Sequence, residues 1–542
     1  VKTYSTSTFG SAPRRRSWIP DAGHDVRYLF RTLKQSPGFG AAVILTLALG
    51  IGANTAVFSV VNAVLLRPLP YPDPDRIVML VNTFRGRVSA PGTSAPKFTV
   101  WRQSTTAFAE VAVYALGRSS LDATNGDDPR AVPIGRASVE FFHLFGARVA
   151  RGRTFTAAED RPGGPHVAVV SDRFSRKAFG ESADAVGRAI SIDGDRFVVV
   201  GVIDGGFDTD ALSAYPSARP EIWLPLQLDP DSSSDLNYLL AAGRLRPDVS
   251  LQAAQAQTAV AAAAVRQALP AVMPADFGLS VERLQGVLVR DVRPALLLLW
   301  WVVAFVLLIA CANTVNLLLA RASVREREIA IRVATGASRG RIVRQLLTES
   351  VVLAISGGVV GFLIGTMGVR ALLSIQGWSP PGIVFSGSGV TLDPRVFVFT
   401  LTISVVTGVA FGLVPAWRAS CVDPDAALKT GGRADSGGSS RIRASLVVTE
   451  IALALMLLIG SALLIRSFVA LREVNPGFDA HNVLTMETAA VGRRFATTAP
   501  LADMVNNALL RVSAVAGVDV AAATFGGLPF ESNGYLNVGI VG

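Results

Sequence analysis

PALLLLWWVVAFVLLIACANTVNLLLA (residues 294–320), RASVREREIAIRVATGASRGRIVRQLLTES (321–350) and VVLAISGGVVGFLIGTMGV (351–369) follow one another without interruption. The first holds 27 consecutive uncharged residues between Arg293 and Arg321, more than the roughly 20 that cross the hydrocarbon core of a bilayer. It reads as a membrane span. The second carries seven arginines (Arg321, Arg325, Arg327, Arg332, Arg339, Arg341, Arg344) against three glutamates. Positive charge beside a span stays on the cytoplasmic side, so this connector is expected inside the cell. A helix held there between two spans is placed to receive a push from a soluble partner. In the third stretch Gly357, Gly361 and Gly365 recur every four residues. Such spacing lines one helix face with small residues and lets a second helix come close; the other reading of these glycines is flexibility alone.

Composition agrees with a membrane protein that carries large soluble parts. Half of the 542 residues are hydrophobic and 17% are charged, and the mean hydropathy is +0.42. The net charge of +10 does not mark a nucleic-acid site. Between Arg67 and Arg293 there are 25 basic and 25 acidic residues, so the excess lies next to the spans, where topology requires it. The two cysteines, Cys311 within a span and Cys421 beside one, leave the hydrophilic region between the first two spans without a disulfide, so its stability comes from its own core. Four scattered histidines (His24, His143, His166, His481) show no metal-ligand spacing.

In chain order, residues 1–37 are basic, and DVRYLFRTLKQ suggests a cytoplasmic amphipathic helix leading to the first span. That span covers 38–66. Its Asn54, Thr55 and Asn62 either bond across helices or face the outer interface. An external α+β region follows over 67–293. RIVMLVN and HVAVVS read as strands, AISIDGDRFVVVGVI as a hairpin around Asp193-Gly194, and the Ala-rich run to Leu269 as a helix capped near Asp248 or Ser250. Its size suits one core or two small subdomains. The second span (294–320), the cytoplasmic connector (321–350) and the third span (351–375) lead to an external loop, 376–395, with one acid, Asp393, and one base, Arg395. A fourth span (396–417), a Gly/Ser-rich cytoplasmic linker (418–443) and a fifth span (444–466) come next. Residues 467–542 repeat the order seen after the first span, which suggests a tandem duplication. The start at Val1 and the end inside this second region lead us to expect a C-terminally truncated fragment.

No phosphate-binding GxxxxGK[ST] motif occurs in the sequence, so ATP hydrolysis would come from another chain. Here the residues resemble a known family. REIAIRVATGASRGRIVRQLLTES (327–350) is similar to the cytoplasmic element of MacB/FtsX-like ABC permeases, an EIxIRxAxGA core before a Q-x-x-x-E stretch. Glu328, Ile329, Ile331, Arg332, Ala334, Gly336, Ala337, Gln345 and Glu349 fall on it. VEFFHLFGARVARGRTFTAAED (139–160), VAVVSDRFSRKAFG (167–180) and VGRAISIDGDRFVVVGVI (186–203) look like the MacB-type periplasmic core domain. DVRYLFRTLKQSPGF, NAVLLRPLPYPDPDRIV (62–78) and DPDAALKTGGR (423–433) resemble the duplicated orphan permeases of acidobacterial type.

The resemblance implies an α-helical integral protein of the bacterial cytoplasmic membrane, N-terminus inside, with a large α+β extracytoplasmic domain. It implies a permease without a nucleotide-binding domain of its own, driven by a separate ABC ATPase dimer that holds ATP and Mg, so that the chain binds no cofactor directly. In that picture Ile329, Ile331, Val333 and Ala334 fill a groove of the ATPase, Arg332 and Glu328 pair across it, and Gly336 ends the helix before Ala337. A loop bound to anionic lipid is the alternative for the same arginines. A periplasmic adaptor or hydrolase is left open as a further partner, and nucleic acid is not expected, because the charge excess lies beside the spans. Two other functions stay open. A scaffold displaying the external domain would copurify with no ATPase. An ion-coupled secondary transporter would place ionisable residues near the bilayer midplane, and spans one to four contain none there.

Overall fold

The structure is a computed structural model. It describes residues 36–122, 130–180, 184–207, 219–229, 237–270, 275–324, 338–373, 393–420, 437–474 and 498–523, with the separate positions Lys34, Thr209, Leu212, Ser232, Met273, Ile331, Thr335, Val483 and Leu484.

The described elements begin with α1 (Pro37–Val61), which passes into a π-helical turn at Asn62–Leu66. Then come β1 (Ile77–Phe84), β2 (Arg87–Pro91), α2 (Ala95–Gln103), β3 (Phe108–Leu121), β4 (Arg130–Ala137), α3 (Phe141–Leu144) and β5 (Val149–Gly152). They are followed by β6 (Val167–Ser171), α4 (Asp172–Phe179), β7 (Ala189–Ile192), β8 (Asp195–Ile203), β9 (Ile222–Pro225) and β10 (Leu240–Leu245). After α5 (Leu251–Ala268), β11 (Phe277–Arg283) and α6 (Leu284–Val289) come the long helices α7 (Arg293–Val324), α8 (Arg339–Leu373), α9 (Pro394–Ser420) and α10 (Gly437–Arg472), and finally α11 (Thr498–Ser513). The chain divides into two compact units: the long helices α1 and α7–α10 form one, and Arg67–Val292, with the residues after Arg472, belongs to the other.

The soluble unit is built on a single mixed sheet, in the order β11-β1-β10-β3-β4-β9-β6-β8-β5, with β2 on β1 and β7 bridging β3 and β8. Most pairs are antiparallel; β4–β9 and β6–β8 are parallel. Why one sheet rather than two subdomains is visible in β1. Its run IVMLV is buried throughout, and because successive strand residues point to opposite faces, Ile77, Met79 and Val81 enter one apolar cluster while Val78 and Leu80 enter another. The first cluster contains Tyr71, Phe141, Phe145 and Trp223, the second Phe98 and Trp101 of α2 with Ala261 and Val265 of α5. Both faces of the sheet are therefore covered. Locally the expected signals operate: Asp193 and Gly194 take φ of 54° and 84° at the β7–β8 turn, the left-handed pair that matches strand twist, and the Ser250 hydroxyl accepts from the Ala253 N–H to cap α5.

In the helical unit, five helices are long and apolar enough to cross a membrane. Most of their ends run past the limits the sequence suggests, although α8 is described only to Leu373, short of the expected 375. The basic stretch 321–350 is not wholly separate from its neighbours, since α7 continues to Val324 and α8 starts at Arg339. A helix keeps its hydrogen-bond ladder wherever the backbone geometry is continuous, and the surface of a bilayer does not interrupt that ladder. No residue in the most apolar stretch of α10 is buried, and Leu455, Met456, Leu458 and Ile459 are all open. Such a surface is at home only in a hydrocarbon solvent.

Candidate functional site

Of the residues in the arginine-rich connector singled out by sequence, Glu328, Ile329, Arg332, Ala334, Gly336 and Ala337 lie outside the described residues. Ile331 is described and half exposed. Its carbonyl accepts from both the N–H and the hydroxyl of Thr335, at 2.9 and 3.0 Å, which is the i→i+4 spacing of a helical turn. Farther along, Gln345 donates to Glu349 at 3.3 Å, and Glu349 is buried. At the same end of the bundle Arg321 closes α7 onto the start of α1. Its guanidinium donates to the Ser36 hydroxyl at 3.1 Å and lies 4.3 Å from the centre of the Phe39 ring, so charge, hydrogen bond and π-face hold one joint.

The glycines of α8 sit against α1. A Cβ added at Gly357 would come within 2.8 Å of the Leu47 Cβ, at Gly361 within 2.8 Å of the Ala48 carbonyl, and at Gly365 within 2.8 Å of the Gly52 carbonyl. The opposite side of α8 is as tight: a Cβ at Gly408 of α9 would meet the Val351 Cα at 2.8 Å. With no hydrophobic drive between helices in lipid, such backbone approach is what supplies packing energy. Thus α8 carries the sequence from Arg339 into the apolar bundle as one rod gripped on two sides. Polar ties add to this. Asn54 donates to the Val303 carbonyl of α7 at 2.8 Å, the Thr55 and Thr400 hydroxyls meet at 3.0 Å, and Asn62 donates to Asp393 at 2.7 Å. The three polar residues of α1 therefore bond across helices.

In the soluble unit, the segment that follows Arg67 is fastened to the sheet. Tyr71 is buried edge-on to Phe145. Arg244 of β10, itself buried, donates to the carbonyls of Pro72 and Leu144, each at 2.5 Å, and Arg76 donates to the Leu245 carbonyl. The far end of the domain returns to the same place: Gln285 of α6 donates to the Arg67 carbonyl at 3.2 Å, and Leu284 and Val287 join the Tyr71 cluster. Both chain connections of the domain thus belong to one rigid collar. Nothing in the sequence pattern marks Arg244; a lone arginine in a strand reads as an outward-facing charge until its carbonyl partners are brought to it.

A second polar knot holds the loop after β5. Arg153 pairs with Glu159 through two hydrogen bonds of 2.8 and 2.7 Å, and the N–H and hydroxyl of Thr156 also donate to Glu159. These donors hold the Glu159 carboxyl down at about 2. Beside it Asp160 accepts from the N–H groups of Val139 and Gln227, yet burial raises its pKa. Among the described residues there is no group of three or more His, Cys, Asp or Glu that could hold a metal ion.

Comparison with known proteins gives two family matches. Residues 41–268 match the MacB-like periplasmic core domain and residues 300–424 the FtsX-like permease C-terminal domain. The chain is 29% identical over 352 residues to the pyoverdine export ATP-binding/permease protein PvdT of Pseudomonas syringae pv. tomato, covering 62% of this chain and 50% of the relative. It is 26% identical over 426 residues to the macrolide export ATP-binding/permease protein MacB of Burkholderia cenocepacia, covering 76% of this chain and 57% of the relative. The chain spans about half the length of the curated relatives it matches. Among solved structures, the periplasmic region of MacB from Actinobacillus actinomycetemcomitans aligns with 41% of this chain and 92% of its own, at 12% identity and a TM-score of 0.29.

Proposed function

Given that the chain belongs to the MacB/FtsX-like ABC permeases, we propose that it is the membrane component of a transporter that converts the nucleotide cycle of a separate ATPase dimer into motion of its spans. That motion serves export, or mechanical work on a periplasmic adaptor or hydrolase. The observation that carries this reading is α8. It is a single helix of 35 residues, about 50 Å long at the usual rise, running from the arginine-rich end into the bundle with its glycines locked against α1. A push at one end of such a rod is delivered undamped to the helices it touches.

In this reading the connector lies in the cytoplasm of a bacterial cell, with the N-terminus inside and 67–293 on the other side of the membrane. Ile329, Ile331 and Ala334 seat in the ATPase, Arg332 and Glu328 pair with charges on it, and Gly336 and Ala337 end the coupling helix. ATP and Mg belong to the partner. The collar around Tyr71 and Arg244 supports work on the external side, because a domain that clamps both of its connections passes strain onward instead of absorbing it. The relatives' names speak of pyoverdine and macrolide export.

The test is copurification from native membranes. An ABC ATPase should accompany the full chain, and Arg332→Glu should reduce its recovery at least tenfold while the permease still reaches the membrane. Equal recovery with the reversed charge sinks the coupling role.

A further inference from the structure

At the end of the helical unit opposite Arg321 and Arg339, α1 does not finish as an α-helix. Asn62–Leu66 form a π-helical turn, and the Asn62 N–H is shared between the carbonyls of Phe58 and Ser59. A π-turn is a helix turn carrying one residue too many, uncommon and often found where function requires it. The turn has a partner outside its own helix. Asn62 Nδ2 donates to Asp393 Oδ2 at 2.7 Å, a contact between residues 331 positions apart. Asp393 is in turn immobilised at the head of α9: its carbonyl accepts from the N–H groups of Val396 and Phe397, and its Oδ1 from that of Arg395.

Two features argue that this is more than packing. Asn62 is 3% exposed, and its Oδ1 has no hydrogen-bond partner. The buried acceptor left without a donor is a cost of this packed arrangement, and the Nδ2 bond to the Asp393 carboxylate is the contact that offsets it. Deeper in the bundle, the Thr55–Thr400 hydroxyl contact and the Phe58 ring, stacked on Phe399 at 4.0 Å, join the same two helices. Movement of α9 therefore reaches Asn62 directly.

We propose that Asn62 and Asp393 are positioning residues that hold the π-turn and so set the direction in which the chain leaves the bundle toward Arg67. Release of Asp393 lets the turn rewind to α geometry. Taking up the extra residue at α geometry rotates everything beyond the turn by about 100° and shifts it by about 1.5 Å along the axis. The device rests on the permease reading, since it supplies the last step by which motion of the spans becomes rotation of the segment leading to the soluble unit.

The contact can be tested without any ATPase. The full chain, with Cys311→Ser and Cys421→Ser, is reconstituted in lipid nanodiscs and labelled with nitroxides at Leu66→Cys and Val398→Cys, and the label separation is measured by pulsed electron resonance. Asn62→Asp sets carboxylate against carboxylate and should displace the distance distribution or broaden it about twofold. The exchanged pair, Asn62→Asp with Asp393→Asn, restores one donor facing one carboxylate and should return the parental distribution. An unchanged distribution in Asn62→Asp, or an exchanged pair as altered as the single variant, overturns the proposal. A merely stabilising role would lower the melting midpoint and leave the distances alone, which also overturns it. Because no ATPase is present, failure here leaves the permease reading standing, and that reading fails separately in the copurification.

Discussion

Glu159 and Arg153 show how much a single carboxylate can depend on its surroundings. Unfolded, the carboxyl titrates near its ordinary 4.5; folded, it is held at about 2, first by the Arg153 hydrogen bonds. A depressed folded value means stability that is fully present above about pH 4.5 and is lost as pH falls through about 2. Asp160 has the opposite sign, since its raised value favours the fold as the medium becomes acidic. Thermal unfolding of the full chain between pH 4.5 and 2 should therefore be less acid-sensitive in Glu159→Gln than in the parent. A slope that stays the same removes Glu159 as the cause. Arg244 is the other residue whose removal is informative. Arg244→Met takes two carbonyls' donor out of a buried collar and should cost about 2–3 kcal/mol, while Arg246→Met, whose contact with the Phe108 carbonyl is 3.4 Å long, should cost far less in the same denaturation experiment. At this scale the sequence is least legible. Asn54, Thr55 and Asn62 are visible as polar residues in an apolar run, but Val303, Thr400 and Asp393 become their partners only when three helices lie side by side.

Among the elements, α8 shows a sequence pattern matched to a neighbour. The interval of four between Gly357, Gly361 and Gly365 repeats nearly once per helical turn, so the stripe could be read without coordinates. Which helix fills it could not, because α1, α7 and α9 are all apolar and of similar length. Gly52 of α1 answers it, since a Cβ there would come 2.9 Å from the Gly361 carbonyl. Gly361→Val should thus force α1 and α8 apart at a cost of about 1–3 kcal/mol, read as a lower melting midpoint in detergent. Gly368→Val, with no atom within 4 Å of its added Cβ, should be close to neutral. The β7–β8 hairpin and α5 were legible for a different reason: the Asp-Gly turn and the Ser250 cap are local chemistry, complete within a few residues.

For the whole molecule the open quantity is orientation. Seven arginines in the connector favour the inside of the cell, and Ala337→Cys in the full chain should react with a membrane-impermeant thiol reagent only in inverted vesicles or opened cells. Labelling from outside intact cells would reverse every assignment of side. By itself, the sequence showed spans long and apolar enough to cross a membrane, a balanced, disulfide-free region between the first two of them, and motifs that resemble those of MacB/FtsX-like ABC permeases. These follow from transfer free energy, charge placement and short-range turn chemistry, which act within a window of a few dozen residues. The tertiary structure alone decided that the soluble domain is one sheet with both faces covered, that Arg244 closes a collar around Pro72, and that Asn62 reaches Asp393. Each of those joins residues tens to hundreds of positions apart, and a contact made by chain folding leaves no periodicity in the residues that make it.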